Sequence, residues 1–334
     1  MNPATIRVAV VQDEVASSLE HGIALTAERA AEAARAGAAV VAFPETWLPG
    51  YPAWLDVCRD AGLWEHPPVK AVFRRMAEQS VVVDGASGHE LGAIARRNGI
   101  AMVIGVVERV ERGPGRGTLF NTLLTYGPDG MLLNHHRKLV PTYTERLVWG
   151  PGDGDGLRAV DVPARSGHVR VGGLVCWEHW MPLARQALHE SGEDIHVAAW
   201  PTVKEMLQLA SRHYAFEGRC FVLAAGSLMK ATGLPAELEV HPAIVSAGSQ
   251  FVLRGGSAIV APNGSYAAEP VFDLPALLIA DLDLALAREE AMTLDVAGHY
   301  ARPDVFAFEV RADRRRRPAS TDAGTDAPPE PHPR

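Results

Sequence analysis

Cysteine is scarce: 334 residues carry three, Cys58, Cys176 and Cys220. Three is too few for a disulfide framework, and an odd number leaves one unpaired. A reducing compartment fits that usage, and the expectation is a cytoplasmic protein. Long apolar runs are missing, so no membrane span is expected. The opening residues MNPATIRVAVVQ lack the charged-then-apolar layout of an export signal. Basic charge is not in excess: the formal net charge is −8, which gives no global attraction to nucleic acid or anionic lipid. The one basic run, Arg314 to Arg317, reads as part of a solubilising tail. Nothing repeats at a fixed period, which excludes a solenoid or propeller. The Gly-Lys-Ser/Thr phosphate loop, the His-Glu-x-x-His metalloprotease motif and the Gly-x-Ser-x-Gly nucleophile elbow are all absent.

Apolar residues, by contrast, make up 47% of the chain against 22% charged, enough for a sizeable core. No Pro/Ser-rich linker separates two folded halves, so one domain is expected over 1–312. From about Asp313 the chain is rich in Arg, Pro, Thr and Asp without apolar pattern, and 313–334 reads as a disordered tail. Ile6 to Val11 is a short β-branched run that reads as a buried strand. Ser18 to Gly37 has helical spacing, with Gly37 as its stop, and Ala39 to Phe43 is the next strand. Glu90 to Asn98 reads as a helix closed by Gly99, and Ala101 to Val107 as a strand. Gly127-Pro128-Asp129-Gly130 is a turn signal between Asn121–Tyr126 and Met131–Asn134, hence a hairpin. Val169 to Val175 is a further apolar strand, followed by a helix over Pro182 to Ser191. His196–Ala199, Phe221–Ala225, Ser257–Ala261 and Leu277–Leu282 read as strands, with a last helix around Leu284 to Ala291. Strands alternating with helices, plus hairpins, make an α/β protein with a mixed sheet and helices on its faces. The glycine-rich run Gly150 to Gly156 follows no strand and reads as a tight loop. Met229 to Gln250 reads as a loop that shapes a pocket or an oligomer contact.

Cys176 stands at the end of the strand Val169 to Val175 and just before a turn. In open α/β sheets ligands bind beyond the carboxyl ends of strands, and a turn there can offer backbone N–H groups to a developing anion. On position alone a buried structural cysteine is the commoner outcome. Cys58 and Cys220 lack that context and read as structural. A cysteine nucleophile needs a proton acceptor and a positive neighbour. Glu45, after the strand Ala39 to Phe43 and Pro44, is placed for partial burial and so for a raised pKa; helix capping or a salt bridge is its alternative. Lys138, in His135-His136-Arg137-Lys138-Leu139, can hold negative charge on an intermediate or sit in a surface basic patch.

Taken together, three segments resemble the nitrilase superfamily of carbon–nitrogen hydrolases: Phe43-Pro44-Glu45-Thr46-Trp47-Leu48-Pro49-Gly50-Tyr51-Pro52, Arg137-Lys138-Leu139-Val140-Pro141-Thr142 and Cys176-Trp177-Glu178-His179-Trp180. The resemblance spans roughly Ile6 to Phe306. Thr142 to Gly150, the Cys-Trp-Glu-His form and Gly298 to Phe306 favour the nitrilase branch. The resemblance implies an α-β-β-α sandwich, a Glu45–Lys138–Cys176 triad, and Glu145 as a second glutamate positioning substrate or water. It implies a small nitrile as substrate, a thioimidate and thioester on Cys176, no cofactor or metal, and a homo-oligomer, either a dimer or a spiral of dimers. An amidase or a cyanide-degrading hydrolase would use the same triad. A non-catalytic relative is the alternative from another class. Trp177 is expected to act through its backbone N–H. Tyr51, Trp149, Trp177 and His179 are the expected pocket residues, suiting an aromatic or arylaliphatic nitrile. His299 is read either as a distant support of the site or as a packed core histidine.

Overall fold

A computed structural model describes residues 5–164, 167–246 and 250–312. The elements run β1 (Thr5–Gln12), α1 (Leu19–Arg35), β2 (Val40–Ala42), α2 (Trp54–Val57), α3 (Pro67–Glu78), α4 (Ala86–Asn98), β3 (Ala101–Arg109), β4 (Leu119–Tyr126) and β5 (Leu132–Arg137). Then follow β6 (Val160–Ala164), β7 (Gly167–Val175), α5 (Pro182–Glu190), β8 (Ile195–Ala199), α6 (Glu205–Gly218), β9 (Phe221–Ala225) and β10 (Leu228–Lys230). The chain closes with α7 (Pro242–Ser246), β11 (Phe251–Val260), β12 (Tyr266–Phe272), β13 (Ala276–Asp283) and α8 (Ala285–Glu290).

The strands form two sheets, not one. The first has the order β13-β1-β2-β3-β4-β5; the second has β10-β11-β9-β8-β7-β6, with β12 paired to β11. Both are mixed. β1, β2 and β3 are parallel neighbours, as are β7, β8 and β9, while β13, β4, β5, β6 and β11 pair antiparallel. Strand alternation sorts the core into layers. Ile6, Val8 and Val10 of β1 join Val171, Val197 and Leu223 of the second sheet in one apolar cluster. Their neighbours Ala9 and Val11 face the other way, onto Ala30 and Ala33 of α1 and Leu91 and Ile94 of α4. Ala187 and Leu188 of α5 and Ala210 and Tyr214 of α6 cover the second sheet. The layers are therefore helix, sheet, sheet, helix, the α-β-β-α sandwich. A strand buried on both faces carries no mark of whether its second face meets a helix or another sheet, which is why the residue pattern alone implied a single sheet.

Helix ends follow their residues. The Ser18 side chain accepts from the His21 N–H at the start of α1, and beyond its end Gly37 takes φ +84°. The segment 229–250 is more than a loop: it includes the end of β10 and α7, and its Leu234 and Leu238 are buried with Tyr51 and Trp54 in a satellite core. The expected tail 313–334, with its basic run, lies outside the described residues. Among the described residues, no helix is long and apolar enough to cross a membrane.

Candidate active site

Three strand ends from two sheets bring the chemistry together. Phe43 still donates its N–H to Val103 on β3. Pro44 has no N–H with which to extend that ladder, and the chain turns inward at Glu45. There the Glu45 N–H donates to the Trp200 carbonyl of the second sheet at 3.3 Å. The approach is close: a Cβ at Gly105 of β3 would stand 2.3 Å from the Pro44 carbonyl oxygen and 2.8 Å from Glu45 Cα. Lys138 follows β5 directly, its N–H bonded to the Asn121 carbonyl at 2.8 Å. Cys176 follows β7 and opens a short 3-10 turn, Cys176–Trp180. Glu145 lies in a second such turn, Tyr143–Leu147, where its Oε2 accepts the Thr142 N–H at 2.7 Å.

The four side chains are buried and in contact. Lys138 Nζ donates to Glu45 Oε1 at 3.1 Å and to Glu145 Oε2 at 2.7 Å. Asn121 Nδ2 donates to Glu45 Oε1 at 2.6 Å, and the Tyr51 hydroxyl to Glu145 Oε1 at 3.1 Å. Cys176 Sγ and one oxygen of each glutamate lie within 4.8 Å of one another. These three could serve as metal donors, but the Lys138 ammonium already stands between the two carboxylates and supplies the positive charge. Glu45 Oε2 is buried with no hydrogen-bond partner. Backbone strain gathers at this point: of the six non-glycine residues with positive φ among the described residues, Thr46, Tyr143 and Cys176, at 43°, 43° and 54°, each lie within two residues of a site side chain.

Burial sets the resting protonation. It pushes Glu45 up to about 7, with the Glu145 charge adding and Lys138 and Asn121 opposing. It pushes the Cys176 thiol well above its ordinary value, as do Glu45 and Glu145; the Lys138 charge and the hydrogen bond from the Trp177 N–H pull the other way. For Lys138 burial favours the neutral amine, but Cys176, Glu45 and Glu145 outweigh it and raise the pKa. The site therefore rests as a thiol beside an ammonium, with a carboxyl group that can change charge near neutrality.

Sequence reasoning missed two contributors. Asn121 is one. Glu178 is the other: it is buried, its Oε1 accepts the Leu139 N–H at 2.8 Å, its Oε2 accepts the Val175 N–H at 2.8 Å, and His136 Nε2 lies 2.9 Å away. It thus ties the residue after Lys138 to the residue before Cys176, one from each sheet. A glutamate in a turn after an apolar strand was the available signal.

Above Cys176 opens a cavity of about 1070 Å³. Tyr51, Val140, Trp177, Trp180, Met206 and Leu253 give it a mainly apolar wall. The other two expected pocket residues do not reach it. Trp149 is buried behind Tyr51, with ring centroids 6.1 Å apart. His179 is buried behind the turn that starts at Cys176, its Nδ1 2.7 Å from the Cys176 carbonyl oxygen; the turn gives Cys176, Trp177 and Trp180 to the cavity and keeps His179 behind them. No described residue of 229–250 lines this cavity either. His299 is exposed, its ring tilted against Tyr300 with centroids 4.9 Å apart, so it is not a packed core histidine. Cys58 and Cys220 are buried in apolar clusters.

A family model described as carbon-nitrogen hydrolase matches residues 7–291. The chain is 37% identical over 315 residues to a nitrilase of Paraburkholderia phymatum, covering 90% of this chain and 86% of that protein. It is 34% identical to a bifunctional nitrilase/nitrile hydratase of Lupinus angustifolius, covering 93% and 87%. Among solved structures, a carbon–nitrogen hydrolase from Helicobacter pylori G27 shares the fold with a TM-score of 0.67 at 17% identity, covering 92% of this chain and 98% of that one.

Proposed function

Given that the chain belongs to the carbon–nitrogen hydrolase family, in its nitrilase branch, we propose that it hydrolyses an arylaliphatic or aromatic nitrile to the carboxylic acid and ammonia, with Cys176 as nucleophile. The observation that carries this reading is the orphaned Glu45 Oε2: its partner oxygen is taken by Lys138 and Asn121, while Oε2 is buried without a donor, in a carboxylate that has an oxygen within 4.8 Å of the Cys176 sulfur.

Glu45 takes the Sγ proton as sulfur attacks the nitrile carbon. Because the resting thiol is hard to ionise, proton transfer and attack proceed together. The breaking carbon–nitrogen π bond leaves its electron pair on nitrogen. The Lys138 ammonium and the Trp177 N–H stabilise that charge, and the proton held by Glu45 passes to nitrogen, giving a thioimidate. A water, deprotonated by Glu45, adds to the carbon. Nitrogen leaves as ammonia and a thioester remains. A second water releases the acid and returns the proton to sulfur. Two waters are consumed for each nitrile. Glu145, held by Tyr51, Thr142 and Lys138, orients the water and fixes the ammonium. If the first tetrahedral species expels the thiol instead, the amide is released.

The cavity volume lies at the upper end for small-molecule sites, and the aromatic and aliphatic wall suits a ring one or two carbons from the nitrile. The test is a panel of aliphatic, aromatic and arylacetonitrile substrates with their matching amides, scored for acid, amide and ammonia. Nitrile turnover lost in Cys176→Ala, with the fold intact, is expected. Turnover of amides alone would replace this reading with an amidase.

A further inference from the structure

Behind the nucleophile, on the side away from the cavity, runs a chain of buried polar groups that the reaction above does not use. His179 Nδ1 lies 2.7 Å from the Cys176 carbonyl oxygen, and His179 Nε2 lies 3.0 Å from His196 Nε2. His196 Nδ1 lies 2.8 Å from Glu193 Oε1, and the Tyr214 hydroxyl donates to Glu193 Oε2 at 2.6 Å. His179, His196 and Tyr214 are buried, and the Glu193 side chain is 2% exposed. Stacking fixes both rings: His179 on Trp200 at 4.6 Å and His196 on Tyr214 at 3.7 Å. The strand backbone is shaped around the acid, since a Cβ at Gly172 would stand 1.9 Å from Glu193 Oε1.

We propose that Glu193 is a positioning residue for the nucleophile: as a neutral carboxylic acid it donates to His196, and through His196 and His179 it holds the Cys176 carbonyl and with it the strained turn that aims the sulfur. This rests on Cys176 being the nucleophile.

The argument is a proton count. A carbonyl oxygen can only accept, so His179 Nδ1 bears hydrogen. A neutral His179 then has a bare Nε2, and His196 must donate from its own Nε2. That leaves His196 Nδ1 bare, and the hydrogen in the last contact must come from Glu193. Three contacts need three protons; two neutral histidines supply two. The third sits on Glu193, whose other oxygen accepts from Tyr214. The alternative puts it on a histidine and creates a buried imidazolium beside a carboxylate. Burial opposes that: it lowers His179 to about 3 and His196 well below its ordinary value. It also raises Glu193 to about 7, against Tyr214, His189 and Arg170. Donation of the acid O–H to His196 holds the proton further.

The test compares Glu193→Gln with Glu193→Leu. The amide can donate to His196 and accept from Tyr214, so Glu193→Gln should keep kcat within about threefold. Glu193→Leu breaks the chain; kcat and the rate of Cys176 alkylation by iodoacetamide should fall about ten- to a hundredfold, with KM little changed, in protein of normal circular dichroism. A Glu193→Gln variant as impaired as Glu193→Leu, or a folded Glu193→Leu variant with full kcat, overturns the proposal. Should Glu193→Leu fail to fold, two-bond ¹⁵N–¹H spectra of histidine-labelled wild type decide. Hydrogen on Nδ1 of His179 and Nε2 of His196, with the other nitrogens bare, is expected; an imidazolium at His196 overturns it. That tautomer pattern does not depend on the nitrile chemistry, whose own failure would appear in Cys176→Ala.

Discussion

Substituting Glu178 tests whether one buried carboxylate couples the two sheets at the site. Its oxygens accept one backbone N–H from each side, Leu139 and Val175, both at 2.8 Å. Burial would raise its pKa, but His136 and these two N–H groups outweigh burial and hold it below the usual carboxylate range. In Glu178→Gln only one acceptor oxygen remains, so one buried N–H faces an NH₂ group. An unpaired buried donor costs about 1–3 kcal/mol. Glu178→Ala strands both donors and should cost about 2–6 kcal/mol, a large share of a total stability of about 5–15 kcal/mol. Urea unfolding followed by tryptophan fluorescence measures the loss, with Gln expected to fall between wild type and Ala. Leu139 adjoins Lys138 and Val175 adjoins Cys176, so kcat should fall in the same order. Wild-type stability and turnover in Glu178→Gln would refute the coupling.

The pH profile gives a second check. Glu45 must be a carboxylate to accept the thiol proton, so kcat/KM should rise with pH and level off above about 7, where burial has raised it. The same raised folded-state value means its contribution to stability is fully present below its unfolded value and is lost as pH rises through about 7. A flat profile between pH 5 and 8 would remove Glu45 as base. Glu45→Gln and Lys138→Ala should each lower kcat/KM by at least about a hundredfold, measured as ammonia release. Away from the site, burial would raise Glu108, but hydrogen bonds and charge from Arg137 and His135 outweigh it and lower its pKa. Its folded-state value is depressed, so its stabilisation is present above its unfolded value, about 4.3, and lost as pH falls. Glu108→Gln should therefore narrow the gap in urea midpoint between pH 6 and pH 4; an unchanged gap would count against that pairing.

Much of the fold was legible because buried strands carry continuous apolar runs: β1, β2, β3 and β7 all fall within a few residues of their apolar segments. The hairpin of β4 and β5 was announced by its Gly-Pro-Asp-Gly turn. Helix α6 was not legible, since its buried face includes Gln208, Ser211 and Tyr214, polar residues whose partners Gly256, Trp200 and Glu193 lie outside the helix. Edge strand β12 carries Glu269 and Pro270 and is half-buried, which blunts its alternation. Helix α4 begins at Ala86, four residues before the expected start at Glu90. Glu45 and Cys176 stood out because each follows an apolar strand, and Lys138 because it follows the second strand of the hairpin. Trp149 and His179 were misplaced because adjacency to a motif in sequence does not say which face of a turn a side chain takes.

Glu45 and Lys138 descend from the first sheet and Cys176 from the second, so their spacing is set by the thickness of the hydrocarbon between them. Neither half of the sandwich carries all three groups. Trimming a methyl from that middle layer, far from any solvent, would misalign sulfur and carboxyl without touching either. Turnover is thereby a gauge of how well two slabs stay in register, and heat should silence it as soon as they begin to slide.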